Sequence, residues 1–239
     1  MPDTATSRPV VVFDLDGTIL SVNSFRLWVA QMIAGRFPGM PIGRRAALSQ
    51  AALRLLLARK AGLIGHEALK WNLQRRWQKA THGDGGAGED AFVGRLRGHV
   101  RPELAGLLAA VAERRLEAVL ATAAAADYAE ALGRRLGFSH ILATPRLREP
   151  GTPSLVGTRK RDAVLAHLAG LGWQHRPIIF FTDHADDMPL IRRSHTVYWF
   201  GPEEERQALT GELQGITLLP GRRGGDVLPA AAPTPNDRS

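Results

Sequence analysis

Acidic and hydroxyl side chains stand at the ends of three short apolar segments that lie far apart in the sequence. These side chains are Asp14 and Asp16 after residues 10–13, Thr122 after residues 118–121, and Asp183 and Asp187 after residues 177–181. In open α/β sheets the ligand binds outside the carboxyl ends of the strands, so we expect these groups to meet in one crevice. Converging carboxylates repel one another unless a cation joins them. The pattern therefore predicts an acid-rich site built around a cation.

The expected cation is a hard metal ion. The chain contains 0 cysteines, and no pair of histidines stands beside the acids in the sequence, so the ligands are oxygen atoms. Oxygen ligands suit a hard ion, and Mg²⁺ is the usual one where phosphate is the substrate. The lack of cysteine also excludes disulfides and a cysteine nucleophile.

The first segment ends in Asp14-Leu15-Asp16-Gly17-Thr18, a motif that is open to more than one interpretation. A calcium-binding EF-hand loop needs glycine at its sixth position and glutamate at its twelfth, where this chain has Ile19 and Phe25. A plain strand-to-helix turn would use Asp16 and Gly17 for turn chemistry alone. An apolar strand precedes the motif, and further acidic and hydroxyl side chains follow in sequence order at the ends of later strands. This context favours a catalytic motif instead.

The elements that must position these residues alternate between strands and helices. Buried strands are predicted at residues 10–13, 118–121, 177–181 and 196–200, and helices at residues 102–115, 127–136 and 160–171. Such alternation is typical of an α/β protein with right-handed crossovers. We therefore predict a Rossmann-like, doubly wound parallel sheet that is formed by residues 1–19 and 101–219.

Residues 20–100 are predicted to form a helical subdomain inserted between the first two strands. A crossover needs only about a dozen residues, so this stretch is far longer than a connection requires. Its helical patterns cover residues 25–33 with Ser24 as N-cap, 45–60 and 67–80, and a glycine-rich flexible connection follows at 81–90. Because the insertion begins just after Asp16, we expect it to cover the carboxyl end of the sheet. Residues 220–239 are predicted to be a disordered tail.

The chain carries an excess of positive charge. Its 31 Lys and Arg residues stand against 23 Asp and Glu residues, for a formal net charge of +8. This balance favours anionic ligands such as phosphomonoesters, nucleic acid or an anionic lipid surface, or else reflects an arginine-rich composition. Residues 70–79 mix cations with two tryptophans. They predict an amphipathic helix with Leu73 and Trp77 inward and Arg75 outward; the alternatives are a nucleic-acid patch and a face for anionic lipid.

Neither a signal peptide nor a transmembrane segment is predicted. Residues 1–9 have no apolar core, and the most apolar long stretch, residues 46–65, contains Arg54, Arg59 and Lys60. We therefore expect a cytoplasmic protein. An amphipathic helix lying in the plane of a membrane surface stays compatible with this composition.

Four segments, taken in order, resemble the four motifs of the haloacid dehalogenase superfamily of phosphohydrolases. They are residues 12–20 around Asp14 and Asp16, residues 120–122, residues 157–160, and residues 181–190. With helices inserted between the first two motifs, the chain is similar to subfamily IB, the C1-capped branch with phosphoserine phosphatase-like and CicA-like members. The resemblance extends over residues 10–205 and implies a magnesium-dependent phosphatase with a helical C1 cap.

The resemblance also implies a role for each acid. Asp14 is expected to attack phosphorus and form an aspartyl-phosphate, and Asp16 to protonate the leaving alkoxide and later to activate water. A halide leaves without a proton, so Asp16 favours phosphate-ester hydrolysis over dehalogenation. Mg²⁺ is expected to bind Asp14, the backbone carbonyl of Asp16, and Asp183. Asp187 is expected to bind a metal-bound water or to pair with Lys160.

The same resemblance places the substrate. Thr122 and Lys160 are expected to hold the phosphoryl oxygens, and Thr18 and Ala123 to contact the substrate as well. Lys160 opens a helical pattern whose N-terminus suits an anion. Candidates for lining the insertion's side of the crevice are Asn23, Ser24, Phe25, Arg26 and Trp28.

The chain departs from the family's usual motifs at a few positions. Thr182 and His184 flank Asp183 where Gly or Ser and a small residue are usual. His184 is expected to contact the substrate, to tune Asp183, or to be a structural histidine. Residues 123–126 are all alanine, so they offer fewer side-chain donors and weaken the case for a serine-phosphate substrate.

Taken together, the residues and the resemblance predict hydrolysis of a small-molecule or lipid head-group phosphate. One alternative is a phosphotransferase that forms the same intermediate but passes the phosphoryl group to a hydroxyl. The other is a non-catalytic protein of this fold, whose basic cap binds an anionic partner or nucleic acid.

Overall fold

The core of the molecule is a sheet of six parallel strands, in a computed structural model that describes residues 8–82, 86–146 and 153–227. The strands are β1 (Val10–Phe13), β2 (Ala118–Ala125), β3 (His140–Thr144), β4 (Ile178–Thr182), β5 (Thr196–Trp199) and β6 (Thr217–Pro220). Their order in the sheet is β3-β2-β1-β4-β5-β6. The predicted Rossmann-like α/β fold is therefore confirmed.

Strand β1 lies at the centre of the sheet because it is apolar on both faces. Val11 and Phe13 belong to one hydrophobic cluster, whereas Val10 and Val12 belong to the other. Alternate residues of a strand point to opposite faces, so β1 feeds both cores of a sheet that is covered on each side. The strand order reverses between β1 and β4, and ligands of open α/β sheets bind at such a point.

Nine α-helices surround the sheet in the described part of the chain. They are α1 (Ser24–Ala34), α2 (Ile42–Lys60), α3 (His66–Thr81), α4 (Ala87–Arg97), α5 (Ala105–Ala112), α6 (Ala126–Arg135), α7 (Thr158–Gly170), α8 (Met188–Ile191) and α9 (Glu203–Glu212). The predicted N-cap of α1 is wrong by one residue. Asn23 holds that position, since its side chain accepts a hydrogen bond from the Arg26 amide.

Helices α1 to α4 lie between β1 and β2 in the chain and pack into the same hydrophobic cluster as one face of the sheet. Their buried members include Trp28, Leu73, Trp77 and Phe92. The Trp28 ring lies 5.5 Å from that of Trp77 and 5.2 Å from that of Tyr128 in α6. The predicted inward face of α3 is thus observed. Part of the predicted flexible connection at 81–90 is helical, because α4 begins at Ala87; residues 83–85 lie outside the described residues.

The carboxyl-terminal part of the chain is ordered further than the sequence predicts. Pro220 closes β6, and Gly221–Val227 form a 3₁₀ helix. Gly224 packs against Phe181 and Leu107, and this burial explains why the chain continues in regular structure. Residues 228–239 lie outside the described residues. Within the described part of the chain, no helix is long and apolar enough to cross a membrane.

Candidate active site

Asp14 and Asp183 leave the sheet from the neighbouring strands β1 and β4. Phe13 pairs with Phe181, and the Asp14 amide donates a hydrogen bond of 2.9 Å to the Phe181 carbonyl oxygen. Parallel strands end at the same edge, so both carboxylates lie in one crevice. Thr122 reaches this edge from β2, two residues beyond Leu120, which pairs with Phe13.

Thr122 lies within β2 rather than after it. The strand runs on to Ala125 through an irregularity in its pairing with β3 between Ala121 and Ala125. The buried Thr122 hydroxyl oxygen accepts a hydrogen bond of 3.0 Å from the Ala124 amide. The predicted end of this strand at residue 121 is therefore wrong, because the strand continues through a bulge to Ala125. Such a bulge bends the chain beside the site.

Lys160 joins two of the predicted acids. Its ammonium nitrogen lies 2.9 Å from Asp14 Oδ1 and 2.8 Å from Asp187 Oδ2, and its side chain is buried. The residue stands in the first turn of α7, which brings it to the carboxyl edge of the sheet. The Thr182 hydroxyl donates a further hydrogen bond of 2.7 Å to Asp187. Thr182, a departure from the family's usual residue, thus holds the partner of Lys160.

Burial sets the protonation of this cluster. Removal from water raises the pKa of Asp14 to about 7; Lys160 opposes the rise, while Asp187 and Asp183 add to it. Burial disfavours the charge on Lys160, yet Asp14 and Asp187 outweigh it and raise the pKa of the ammonium group. Lys160 is therefore a fixed positive charge beside Asp14.

Asp16 is held by the first turn of α1. Its Oδ1 atom accepts a hydrogen bond of 2.9 Å from the Ser24 amide. Burial raises the pKa of Asp16, the hydrogen bonds from Ser24 lower it, and the nearby charge of Asp183 raises it again. The Ser24 hydroxyl lies 2.9 Å from the Tyr128 hydroxyl, which fixes Ser24 in turn. The carboxyl group is thus positioned and able to carry a proton.

Gly17 permits the close approach of Asp183 to the β1 loop. Its φ is +74°, and a Cβ atom on Gly17 would lie 1.9 Å from Asp183 Oδ2. Asp183 Oδ1 accepts a hydrogen bond of 3.3 Å from the Thr18 hydroxyl. Burial raises the pKa of Asp183. The glycine of the motif therefore has a steric reason as well as a conformational one.

His184 has a local structural role. Its side chain is 66% exposed, and Nδ1 accepts a hydrogen bond of 3.1 Å from the Asp186 amide. This bond caps the 3₁₀ turn Ala185–Asp187. Of the roles predicted for His184, the structure therefore shows a local structural one. Contact with the substrate and tuning of Asp183 stay predictions.

The remaining predicted substrate contacts have partners within the protein. The Thr18 hydroxyl donates to Asp183, as described above. The Ala123 carbonyl oxygen accepts hydrogen bonds from Lys70 at 3.2 Å and from the Thr144 hydroxyl at 2.8 Å. Among the predicted lining residues, Ser24 contacts Asp16, whereas Trp28 is buried in the core.

Two cations beside the site were missed by sequence reasoning. Lys70 of α3 lies 2.9 Å from the Ser154 hydroxyl, and its charge lowers the pKa of Asp16. Arg101 donates a hydrogen bond of 2.9 Å to the Gly17 carbonyl oxygen and lies over the Phe200 ring. Gly17, Arg101 and Asp183 line a cavity of about 770 Å³. Lys70 belonged to a basic segment already singled out, but no motif marks Arg101.

The donor atoms at this edge suit a hard divalent cation. Burial raises the pKa of Asp14, Asp16 and Asp183 alike, and a cation bound beside them would oppose this rise. No group of three or more His, Cys, Asp or Glu side chains is arranged to hold a metal in the described part of the chain. The predicted ligands are the carboxylates of Asp14 and Asp183 and the backbone carbonyl of Asp16. Because only two of them are side chains, this set does not need a group of three. Asp187, predicted to bind a metal-bound water or to pair with Lys160, forms the ion pair with Lys160.

Comparison with known proteins agrees with this arrangement. The family model for haloacid dehalogenase-like hydrolases matches residues 11–192, which include every acid described above. The chain belongs to this family. A comparison with curated proteins finds none whose sequence matches.

Solved structures share the fold of this hydrolase. A Bordetella pertussis Tohama I protein with unknown function superposes with a TM-score of 0.69 and 19% identity, over 89% of this chain and 98% of that one. A probable phosphoserine phosphatase from Vibrio cholerae gives 0.59 and 13%, over 93% of this chain and 64% of that one. A substrate-bound phosphoserine phosphatase gives 0.50 and 10%, over 93% and 97%. The hydrolase thus has a phosphoserine phosphatase-like fold.

Proposed function

We propose that this hydrolase cleaves phosphomonoesters of small molecules or lipid head groups, with Mg²⁺, through an aspartyl-phosphate on Asp14. The observation that carries the proposal is the buried contact of 2.9 Å between Lys160 and Asp14. Asp16, whose pKa is raised by burial, stands two residues away. A nucleophile, a fixed cation and an acid at one strand end are the parts that phosphoryl transfer requires.

In the first step, a carboxylate oxygen of Asp14 forms a bond to phosphorus while the bond from phosphorus to the leaving oxygen breaks. Lys160 favours the ionised form of Asp14 and offsets negative charge on the phosphoryl oxygens. Thr122, at the same edge of the sheet, supplies a hydroxyl group to these oxygens. The negative charge that develops on the leaving oxygen is neutralised by a proton from Asp16.

Asp16 serves in both halves of the reaction. Its raised pKa allows the carboxyl group to hold a proton, and the Ser24 amide keeps it oriented. After the leaving alcohol has departed, the Asp16 carboxylate takes a proton from water, whose oxygen attacks the phosphorus of the aspartyl-phosphate. The Asp14–phosphate bond then breaks, and inorganic phosphate and the free carboxylate are restored.

Asp14, Asp183 and the Asp16 carbonyl oxygen would hold Mg²⁺. The bound ion supplies positive charge that draws electrons from a phosphoryl oxygen and relieves repulsion among the acids. Asp187 acts through Lys160, whose ammonium group it holds in place together with Asp14.

Helices α1 to α4, within residues 20–100, are proposed to form a cap that selects the substrate. Two contacts support this role. Ser24 of α1 donates to Asp16, and Lys70 of α3 reaches the Ala123 carbonyl oxygen. The inserted helices therefore reach the active site directly. We also propose a cytoplasmic location, as expected from the sequence.

The test is phosphate release by the purified protein with Mg²⁺ and with a chelator. The substrates are 4-nitrophenyl phosphate and a panel of amino-acid, sugar, nucleotide and lipid head-group phosphates, phosphoserine among them. We expect turnover only with the metal ion, and its loss in Asp14→Asn. Asp186→Asn, an exposed acid of the same loop, is the matched control. Retained activity in Asp14→Asn would remove the nucleophile.

Two other results would favour the alternative functions. A phosphorylated acceptor alcohol among the products would identify a phosphotransferase. Failure to turn over any member of the panel, together with salt-sensitive binding of nucleic acid, would favour a binding protein.

A further inference from the structure

Helix α2 exposes a stripe of apolar side chains along the face that points away from the rest of the protein. Ile42, Ala46, Leu53 and Leu57 are all exposed, and Gln50 is the polar residue between them. Spacings of four and seven residues place them on one side of a helix. The opposite side carries the buried Leu48 and Ala52. We call the four exposed apolar residues the α2 stripe.

The exposure of the α2 stripe is unusual for this molecule. In the described part of the chain, large exposed apolar side chains are Ile42 at 80%, Leu53 at 48%, Leu57 at 57%, Leu63 at 77% and Val156 at 37%. All but Val156 lie on α2 or in the turn that follows it. Scattered single apolar residues are normal on a surface, but a concentration on one element marks a surface that contacts something apolar.

The charge around the stripe has one sign. Between Asp16 and Glu67 the sequence contains 7 Arg and Lys residues and no Asp or Glu. Arg54, Arg59 and Lys60 are exposed on α2 itself. A second copy of the chain would bring the same positive charge to the contact, so the charge opposes pairing of two stripes. A partner that combines apolar and negatively charged groups fits instead.

We propose that α2 docks in the plane of an anionic lipid surface, with the α2 stripe and Leu63 inserted among the acyl chains. Apolar residues on one face and cations beside them are the features of helices that lie in a membrane interface. Nucleic acid fits less well, because residues 42–63 contain no aromatic side chain on which a base could stack. This inference concerns the location of the hydrolase and does not depend on the proposed reaction.

The decisive measurement is co-sedimentation of the full-length protein with two kinds of vesicle. One contains phosphatidylcholine alone, and the other contains equal parts of phosphatidylcholine and phosphatidylglycerol. We expect binding to the anionic vesicles only, and weaker binding when salt is raised from about 0.1 M to about 0.5 M. A supporting measurement is the blue shift of a fluorophore placed at Ala46.

Paired substitutions separate the apolar and charged contributions. Leu53→Gln with Leu57→Gln should weaken binding roughly tenfold or more, because two inserted side chains are lost. Arg54→Gln with Lys60→Gln should weaken it by about fivefold for each cation removed. The matched controls are Val156→Gln and Arg193→Gln, an exposed apolar residue and an exposed cation away from α2. All these side chains are exposed, and circular dichroism checks that each variant is folded.

Three results would overturn the proposal. They are equal binding of both kinds of vesicle, sedimentation of the Leu53/Leu57 variant at the wild-type level, and absence of binding to either kind. Light scattering gives a fourth: a dimer that the Leu53/Leu57 substitutions dissociate would show that a second copy covers the stripe.

Discussion

The Lys160 ammonium group lies 2.9 Å from Asp14 Oδ1, although 146 positions separate the two residues in the chain. The contact joins the end of β1 to the start of α7, and it is buried. A buried ion pair adds little stability compared with an apolar pair, but removal of one partner leaves an uncompensated charge. The contact therefore couples the protonation of Asp14 to the stability of the folded protein.

Replacement of Lys160 by methionine should lower both activity and stability. In metal-free protein at about pH 8, we expect a loss of about 3–5 kcal/mol in the free energy of unfolding. The pKa of Asp14, already about 7 in the folded protein, rises further without Lys160, and its unperturbed value is 3.8. As pH rises, Asp14 therefore loses its proton at a lower pH in the unfolded state than in the folded state. The loss of stability caused by the substitution becomes smaller as pH falls towards about 6.

Urea unfolding at both pH values measures this effect, and Lys79→Met, an exposed lysine of α3, is the control. The control should stay within about 0.5 kcal/mol of wild type. A Lys160 variant as stable as the control would contradict the buried pair.

Asp16→Asn should affect alkyl phosphates more than aryl phosphates in the first step. An alkoxide needs a proton to leave, so loss of the general acid should slow cleavage of an alkyl ester by about 10²–10⁴-fold. Nitrophenolate leaves without a proton, so the pre-steady-state burst of nitrophenolate should persist in the variant. Steady-state turnover should slow, because Asp16 no longer activates the attacking water. Stopped-flow absorbance measures the burst. Equal loss for both ester types would remove Asp16 as the acid.

Gly17→Ala should be far more damaging than Gly62→Ala. Both glycines have similar positive φ values, +74° and +75°, so each alanine bears the same backbone penalty of roughly 1–2 kcal/mol. Only at Gly17 would the new Cβ meet Asp183 Oδ2, at 1.9 Å, whereas nothing lies within 4 Å of the corresponding position at Gly62. Thermal unfolding and phosphatase assays compare the two. Similar losses in both would show that the contact with Asp183 is unimportant.

Mg²⁺ should stabilise the folded protein through Asp183. An ion present at about 100 times its dissociation constant adds about 2.7 kcal/mol, which raises the melting temperature by roughly 5–10 °C for a chain of this size. Asp183→Asn should lose most of this increase, and Asp186→Asn should keep it. The readout is differential scanning fluorimetry with magnesium and with chelator, so it needs no substrate. An unchanged shift in Asp183→Asn would reject this ligand.

His140 should make the protein less stable in acid. Its ring lies 5.0 Å from that of His167, and burial, followed by the charge of His167, lowers the pKa of His140. The unfolded state then binds the proton more readily, so stability is lost as pH falls through about 6.5. His140→Gln should reduce the fall in melting temperature between about pH 7.5 and pH 5.5 by no more than about 4 °C, because His140 is partly exposed. Exposed His175→Gln is the control; identical slopes in both variants would exclude His140.

The sequence by itself determined the nature of the sheet and the identity of the acids. Continuous apolar runs such as Val10–Phe13 can be buried on both faces only in a covered parallel sheet. Asp14 follows such a run directly, and Asp16 and Asp183 stand shortly after one, so their place at the carboxyl edge follows from chain order. These features are local, and a local pattern is readable without coordinates. Edge strands β3 and β6 and helix α4 lack such patterns and were missed.

The tertiary structure decided which groups touch the acids. Lys70 of α3 reaches Ala123, and Arg101 reaches Gly17, 84 positions earlier in the chain. It also decided that Asp187 pairs with Lys160 and that Thr182 holds Asp187. Such contacts arise from the packing of helices against the sheet, a collective result of buried area that no single segment encodes. The sequence could therefore single out the candidate acids, whereas only the fold could assign their partners.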